Sequence, residues 1–267
     1  MRRDYRPMAM TGPRYAFGDS ELARRRMDVV ADVFAGPSTE FVRQQVTNSP
    51  QLALDLGCGP GNTTRLLADV TRAALVVGLD TSEAFLRAAV LDTRSSSVAY
   101  ACHDARTPFP TRSPDLVYAR LILAHLPDPP AVATAWARQL RPGGLLLLDE
   151  VEWISTDHPV LALYETVVVG LVGARGAPMY AGPLISELSG EDWGPISDRT
   201  VRVDVATADA ARMYSMNLAV WRDDPYVVNT YERSAIDDLA AGLDDLTRSS
   251  AAGEIAWGLR QVAYERA

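Results

Sequence analysis

Apolar residues recur with two periods along this chain, and the periods divide it into elements. In the run SELARRRMDVVADVF, residues 20–34, Leu22, Met27, Val30 and Phe34 stand at helical spacing. A second helix is expected over 39–46. From there to about residue 152, short apolar runs alternate with helix-like segments. LALD ends at Asp55, ALVVGLD at Asp80, LVYAR at Arg120 and GLLLLDE at Glu150, while VAYACHDA carries Asp104 near its end. This alternation predicts an α/β fold: a doubly wound, mostly parallel sheet with helices on both faces. Ligands of such sheets bind beyond the carboxyl ends of the strands. Asp55, Asp80, Asp104, Arg120 and Glu150 are therefore expected to converge on one cleft. The second half is less regular. Residues 158–173 read as a helix, followed by a Gly- and Pro-rich loop holding Tyr180 and Trp193. Residues 199–205 alternate as a strand, 207–221 and 229–246 read as helices, and 254–267 close as a strand. Residues 1–12 carry no pattern of order.

The most informative stretch is LALDLGCGPGNTT. Gly57, Gly59 and Gly61 stand at alternate positions between a strand and the helix-like run TTRLLADV. Glycine admits positive φ and lets a ligand lie against the main chain. The helix N-terminus that follows offers unpaired N–H groups. The spacing is not that of a dinucleotide fingerprint, G-x-G-x-x-G, whose third glycine would fall where Asn62 stands. The pattern is D-x-G-x-G-x-G.

That pattern resembles motif I of the class I S-adenosylmethionine (SAM) dependent methyltransferases. The later strand ends follow in that family's order across about 100 residues. The resemblance implies a seven-stranded sheet whose last strand is antiparallel. It implies a core over 47–267, N-terminal helices within 1–46 forming part of a lid, and helical cap elements within about 155–195 and 206–250. It also implies a donor site. The backbone of Gly57, Gly59 and Gly61, with Asp55, takes the methionine part of SAM. Asp80 takes the ribose with Thr81 beside it, Asp104 and Ala105 take the adenine, and Ala119 and Arg120 face the methionine portion. The run YAFGDSELARRRM resembles a helix that precedes motif I in actinobacterial small-molecule methyltransferases, where a Tyr and an Arg reach the cofactor. Tyr15 and Arg26 match them. SAM, leaving as S-adenosylhomocysteine (SAH), is the implied cofactor, with no metal.

Composition narrows the partners. The net charge of −8 disfavours a nucleic-acid partner, since phosphate binding needs a basic face. All 26 basic residues are Arg, and the basic N-terminal stretch reads as a solvated tail. Two cysteines, Cys58 and Cys102, make no disulfide framework and read as free thiols. No apolar run reaches membrane-spanning length and the N-terminus lacks a signal-peptide core, so a cytoplasmic monomer or homodimer is expected.

The acceptor side is less defined. His125, in LAHLPDP just past strand four, is either a base beside the methyl group or a structural residue of its loop. Glu150 and Glu152 share one strand face by the period of two, and either could orient a substrate amine or form a surface ion pair. His125, Glu152 and Tyr15 are the catalytic candidates. Trp153, Tyr180, Asn217, Trp221 and Glu150 are the substrate candidates, because aromatic walls suit a flat or cationic acceptor. A nicotinamide oxidoreductase needs the other glycine spacing. A DNA amino-methyltransferase needs Asn or Asp with two prolines where this chain has YAR. A metal-dependent catechol methyltransferase needs an acid cluster after strand four that DLVYARLILAH does not supply. The expected function is methyl transfer to a small aromatic or nitrogenous metabolite in bacterial secondary metabolism. A SAM-binding regulatory or scaffold protein is the alternative.

Overall fold

A computed structural model describes residues 20–111, 113–186, 188–250 and 254–267. Its strands are β1 (Leu52–Leu56), β2 (Leu75–Asp80), β3 (Val98–Cys102), β4 (Leu116–Arg120), β5 (Leu145–Thr156), β6 (Trp193–Val205) and β7 (Ile255–Arg266). They form one sheet in the order β3-β2-β1-β4-β5-β7-β6, with only β7 antiparallel to its neighbours. The strand order reverses beside β1, which pairs with both β2 and β4; Asp55 lies opposite Gly78 on one side and Tyr118 on the other. A reversal of this kind opens a crevice at the carboxyl ends of the two strands.

The helices are α1 (Glu21–Gln45), α2 (Asn62–Thr71), α3 (Glu83–Asp92), α4 (Pro129–Ala137), α5 (Pro159–Ala174), α6 (Thr207–Trp221), α7 (Pro225–Thr230) and α8 (Arg233–Leu246). Along β4 and β5 the pleat sorts side chains between two cores. Val117, Ala119, Leu146 and Leu148 meet Trp136 of α4 on one face. Tyr118 and Leu147 meet Phe41 and Val42 of α1 and Leu67 of α2 on the other. A third core lies away from both, where α5, α6 and α8 close on Phe34 of α1 and on Trp257 and Leu259 of β7. Helices α6 to α8 occupy the connection between β6 and β7.

Three element boundaries differ from the sequence reading. The two N-terminal helices are one, with Pro37 inside it. Proline removes one helical hydrogen bond and usually breaks the helix. Here the far half is pinned instead: Ser38 donates to Asp149 at 2.6 Å, Gln261 donates to the Pro37 carbonyl at 3.1 Å, and Phe41 and Val42 are fully buried. The helix expected over 229–246 is α7 and α8, separated at Tyr231 and Glu232. Trp193, expected in a loop, starts β6, and its ring packs edge-on against Tyr264 of β7 at 5.4 Å. Residues 1–12 and Tyr15 lie outside the described residues.

Candidate active site

The carboxyl end of β1 fixes the glycine loop from below. Asp55 is 1% exposed, and its Oδ2 accepts from the hydroxyls of Thr63 and Thr64, both at 2.6 Å. The carboxylate thereby ties the first turn of α2 to the strand, at the positive end of the helix. Its Oδ1 is buried without a partner, and burial pushes the carboxyl up to about 6. Gly57, Gly59 and Gly61 have φ of 66°, 52° and 84°, so the backbone turns through the left-handed region three times in five residues. At Gly57 a side chain is also excluded by space: a Cβ there would lie 2.5 Å from Ile122 Cδ1.

The end of β2 holds the same loop from the side. Asp80 Oδ2 accepts from Gly59 N–H at 2.8 Å and Oδ1 from Ser82 N–H at 2.8 Å. A carboxylate offers roughly four acceptor positions, so capacity remains for ligand hydroxyls. Ser82, not Thr81, caps α3 by accepting from Phe85 N–H. Thr81 is exposed beside it. At the end of β3, Asp104 forks onto the Arg106 guanidinium, with contacts of 2.6–3.1 Å that hold its carboxyl below the usual range. Ala105 is buried, and its carbonyl accepts from Trp136 Nε1 at 2.7 Å.

Helix α1 crosses over the loop. Met27 and Val30 line a narrow cleft with Gly57, Cys58, Arg120 and Leu121. The residue that breaks the dinucleotide pattern has a task here: Asn62 donates to Asp28 Oδ1 at 3.1 Å and clasps α1 to α2. Sequence reasoning used Asn62 only to exclude a spacing. Ala119 is buried within β4, and Arg120 reaches Ser38 Oγ of α1 at 3.3 Å. Arg26 is buried on the underside of α1, where its Nη2 contacts Met27 Sδ at 3.3 Å.

The turn after β4 is strained and held. Leu121 has φ of 55°, a conformation that costs a bulky residue about 1–3 kcal/mol. Glu150 compensates: its Oε1 accepts from Ile122 and Leu123 N–H at 2.9 and 2.8 Å. The turn then forms a short 3-10 helix, Leu123–His125. Glu150, expected among the substrate residues, thus stands against the backbone of this turn. The side chain is 1% exposed, is pushed up to about 8 by burial, and is committed to the backbone. Desolvation, aided by the positive charge of Arg26, lowers His125 to about 4, so its imidazole is neutral at ordinary pH.

Glu152 is not in this group. It accepts from Arg260 Nη1 at 2.9 Å and from the Thr200 hydroxyl, while Arg260 also forks onto Asp198. The β5–β7 register shifts between Val151 and Trp153, and the neighbouring strands supply these partners. Its place is the ion pair. Trp153 lies over Gly258 of β7, a position that no side chain at 258 would permit.

The remaining candidates meet among α5, α6 and the loop after α5. Asn217 of α6 donates to Tyr164 Oη of α5 at 2.8 Å, and Trp221 packs against Tyr164 with centroids 5.7 Å apart. Trp221 is 1% exposed and belongs to the cap core. Tyr180 donates to Glu165 at 3.1 Å, and so does the hydroxyl of Tyr214. Tyr164 and Tyr214 stack at 3.7 Å and 8°. Val30 and Leu121, which line the cleft, pack against the core that holds Tyr164, Tyr214 and Trp221, so this aromatic cluster adjoins the cleft. Sequence reasoning missed Tyr164, Glu165 and Tyr214. The only signal was Tyr-Glu within an otherwise apolar helical run.

The cradle fits a cofactor with a charged amino-acid end and a sugar. The glycine loop leaves main chain open, Asp55 keeps a buried oxygen without a partner, and Asp80 keeps acceptor capacity. Comparisons with known proteins agree. Residues 54–148 match the model of a family described as a methyltransferase domain. Trans-aconitate 2-methyltransferase from Methylobacterium radiotolerans is 38% identical over 150 residues, covering 55% of this chain and 56% of that protein. The chain thus spans about half the length of the curated relatives it matches. A coclaurine N-methyltransferase solved with N-methylheliamine and SAH has a TM-score of 0.55 at 15% identity, covering 89% of this chain and 72% of that one. The cyclase SpnF has a TM-score of 0.54 at 18% identity, covering 94% and 96%. These two likenesses show the fold alone.

Proposed function

We propose that the chain is a class I, SAM-dependent methyltransferase that moves a methyl group from SAM to a small aromatic or nitrogenous metabolite; the match of residues 54–148 to the model of a methyltransferase domain supports this reading. The observation that carries this reading is the meeting of three parts on one cleft: the left-handed glycine loop, Asp80 bound to it, and the held turn bearing His125. When bound, SAM supplies a methyl carbon already activated by a sulfonium leaving group. The protein therefore has mainly to align and to keep dry. The glycine loop and Asp80 bind the donor. Met27 and Val30 of α1, part of the lid, exclude water from the cleft. Glu150 orients the turn, and burial, aided by Arg26, keeps His125 neutral, the form that can take a proton from the acceptor. The setting in bacterial secondary metabolism rests on the resemblance of the N-terminal run to small-molecule enzymes.

A second acceptor reading comes from the curated relative, which is named for trans-aconitate. It would require the cap to receive a polyanion. Titration of the full chain with SAH, then a screen of indoles, amines, phenols and trans-aconitate with labelled SAM, decides between them. SAH binding with label on one of the first three classes is the expected result. Label on trans-aconitate would replace the acceptor, and SAH binding without transfer to any acceptor would favour a scaffold.

A further inference from the structure

We propose that Glu165 and Asn217 anchor the acceptor, and that the acceptor presents nitrogen-bound hydrogens to them from an aromatic or apolar frame. The inference rests on the methyltransferase reading and deepens it.

The argument is an account of donors and acceptors. Tyr180 and Tyr214 both direct their hydroxyl hydrogens at Glu165. The amide nitrogen of Asn217 donates to Tyr164. The cluster retains acceptor capacity in the free positions on the carboxylate and in Asn217 Oδ1, which is buried without a partner; it also holds one buried donor without a partner, Trp221 Nε1. Buried polar groups left unpaired are costly, so a resident ligand should supply donors here. A polycarboxylate brings acceptors only and would set its charge against that of Glu165. An amine, ammonium or ring N–H supplies what is missing. Glu165 is only half-buried, so it can be reached from outside, and the stacked rings of Tyr164 and Tyr214 give the apolar wall. Burial raises the Glu165 carboxyl above its ordinary range, and a cationic partner would reverse that penalty. The cluster adjoins the cleft: the apolar core that holds Tyr164, Tyr214 and Trp221 packs against Val30 and Leu121, which line the cleft.

Tryptamine and indole-3-acetate share a ring and differ in the charge of the end group, and trans-aconitate tests the polyanion. Each is titrated into the full chain saturated with SAH. Tryptamine should bind at least about tenfold tighter than either carboxylate. Glu165→Gln, which preserves shape, removes the charge and keeps an acceptor for one of the two tyrosines, should erase that preference while SAH affinity stays. Asn217→Leu should weaken tryptamine in the same direction. Equal or tighter binding of a carboxylate by the unaltered chain, binding of none of the three, or unchanged tryptamine affinity in both variants would overturn the anchor alone. Failure to bind SAH would overturn the methyltransferase reading and the anchor with it.

Discussion

The proposed donor side and the proposed acceptor side of this cleft are built differently. The donor side is made of strand ends and the loops directly after them. Asp55, Gly57, Gly59, Thr63 and Thr64 lie within ten residues, and Asp80 returns to the same loop from the next strand. Main chain does most of the holding. The acceptor side is assembled from four separate stretches: Arg26 on α1, His125 after β4, Tyr164 and Glu165 on α5, and Tyr214 and Asn217 on α6. Side chains do the holding there, and they meet only because the cap helices pack on one apolar core. A site of local main chain can be reused with many acceptors, and a site of assembled side chains can vary without disturbing the cofactor.

Breaking the cap should cost most in stability. Trp221→Ala empties a fully buried indole site in the cap core, so a loss of about 3–5 kcal/mol is expected by urea unfolding. A loss below about 1 kcal/mol would mean that the cap packs loosely and that its side chains are not preorganised. His125→Ala acts at the junction of the two regions. It should lower kcat about a hundredfold with SAH affinity kept. The wild-type kcat should also show no limb near pH 6.5 from this residue, because its imidazole titrates at about 4. Full activity in the variant would return His125 to a structural role.

Asp80→Ala tests the donor side. SAH affinity should fall by about 1–3 kcal/mol, because the carboxylate both holds Gly59 and keeps capacity for hydroxyls. Unchanged affinity would refute the ribose assignment. The last test concerns Glu150. Its carboxyl is raised from 4.5 to about 8, so between those values the folded chain holds a proton that the unfolded chain has released. Its contribution is fully present below about pH 4.5 and is lost as the pH rises through about 8. Glu150→Gln can still accept from Ile122 and Leu123 and removes the titration. The stability difference between variant and wild type should therefore widen in favour of the variant from pH 5 to 8; parallel curves would show that Glu150 does not titrate there.

Where a residue acts through its immediate neighbours, the chain could be read directly. The glycines announce their left-handed turns by lacking a Cβ. The strand ends converged because parallel strands connected by helices leave their carboxyl ends on one side. Glu150 and Glu152 show the opposite case. Period-two spacing set them on one face, yet one met the strained turn after β4 and the other met Arg260 of β7, partners about 28 and 108 residues away in sequence. Pro37 marked a break by local rule, and the sheet overruled it through Ser38 and Gln261.

The sequence by itself determined the sheet class, the glycine cradle and the acids beside it, because backbone conformation and strand-end position depend on short-range sterics and periodicity. Only the tertiary structure decided which carboxylate is buried against backbone, which is ion-paired at the sheet, and which stands beneath the cap among tyrosines. Burial and hydrogen-bond partners arise from elements that meet across the fold, and those contacts set what a side chain can do.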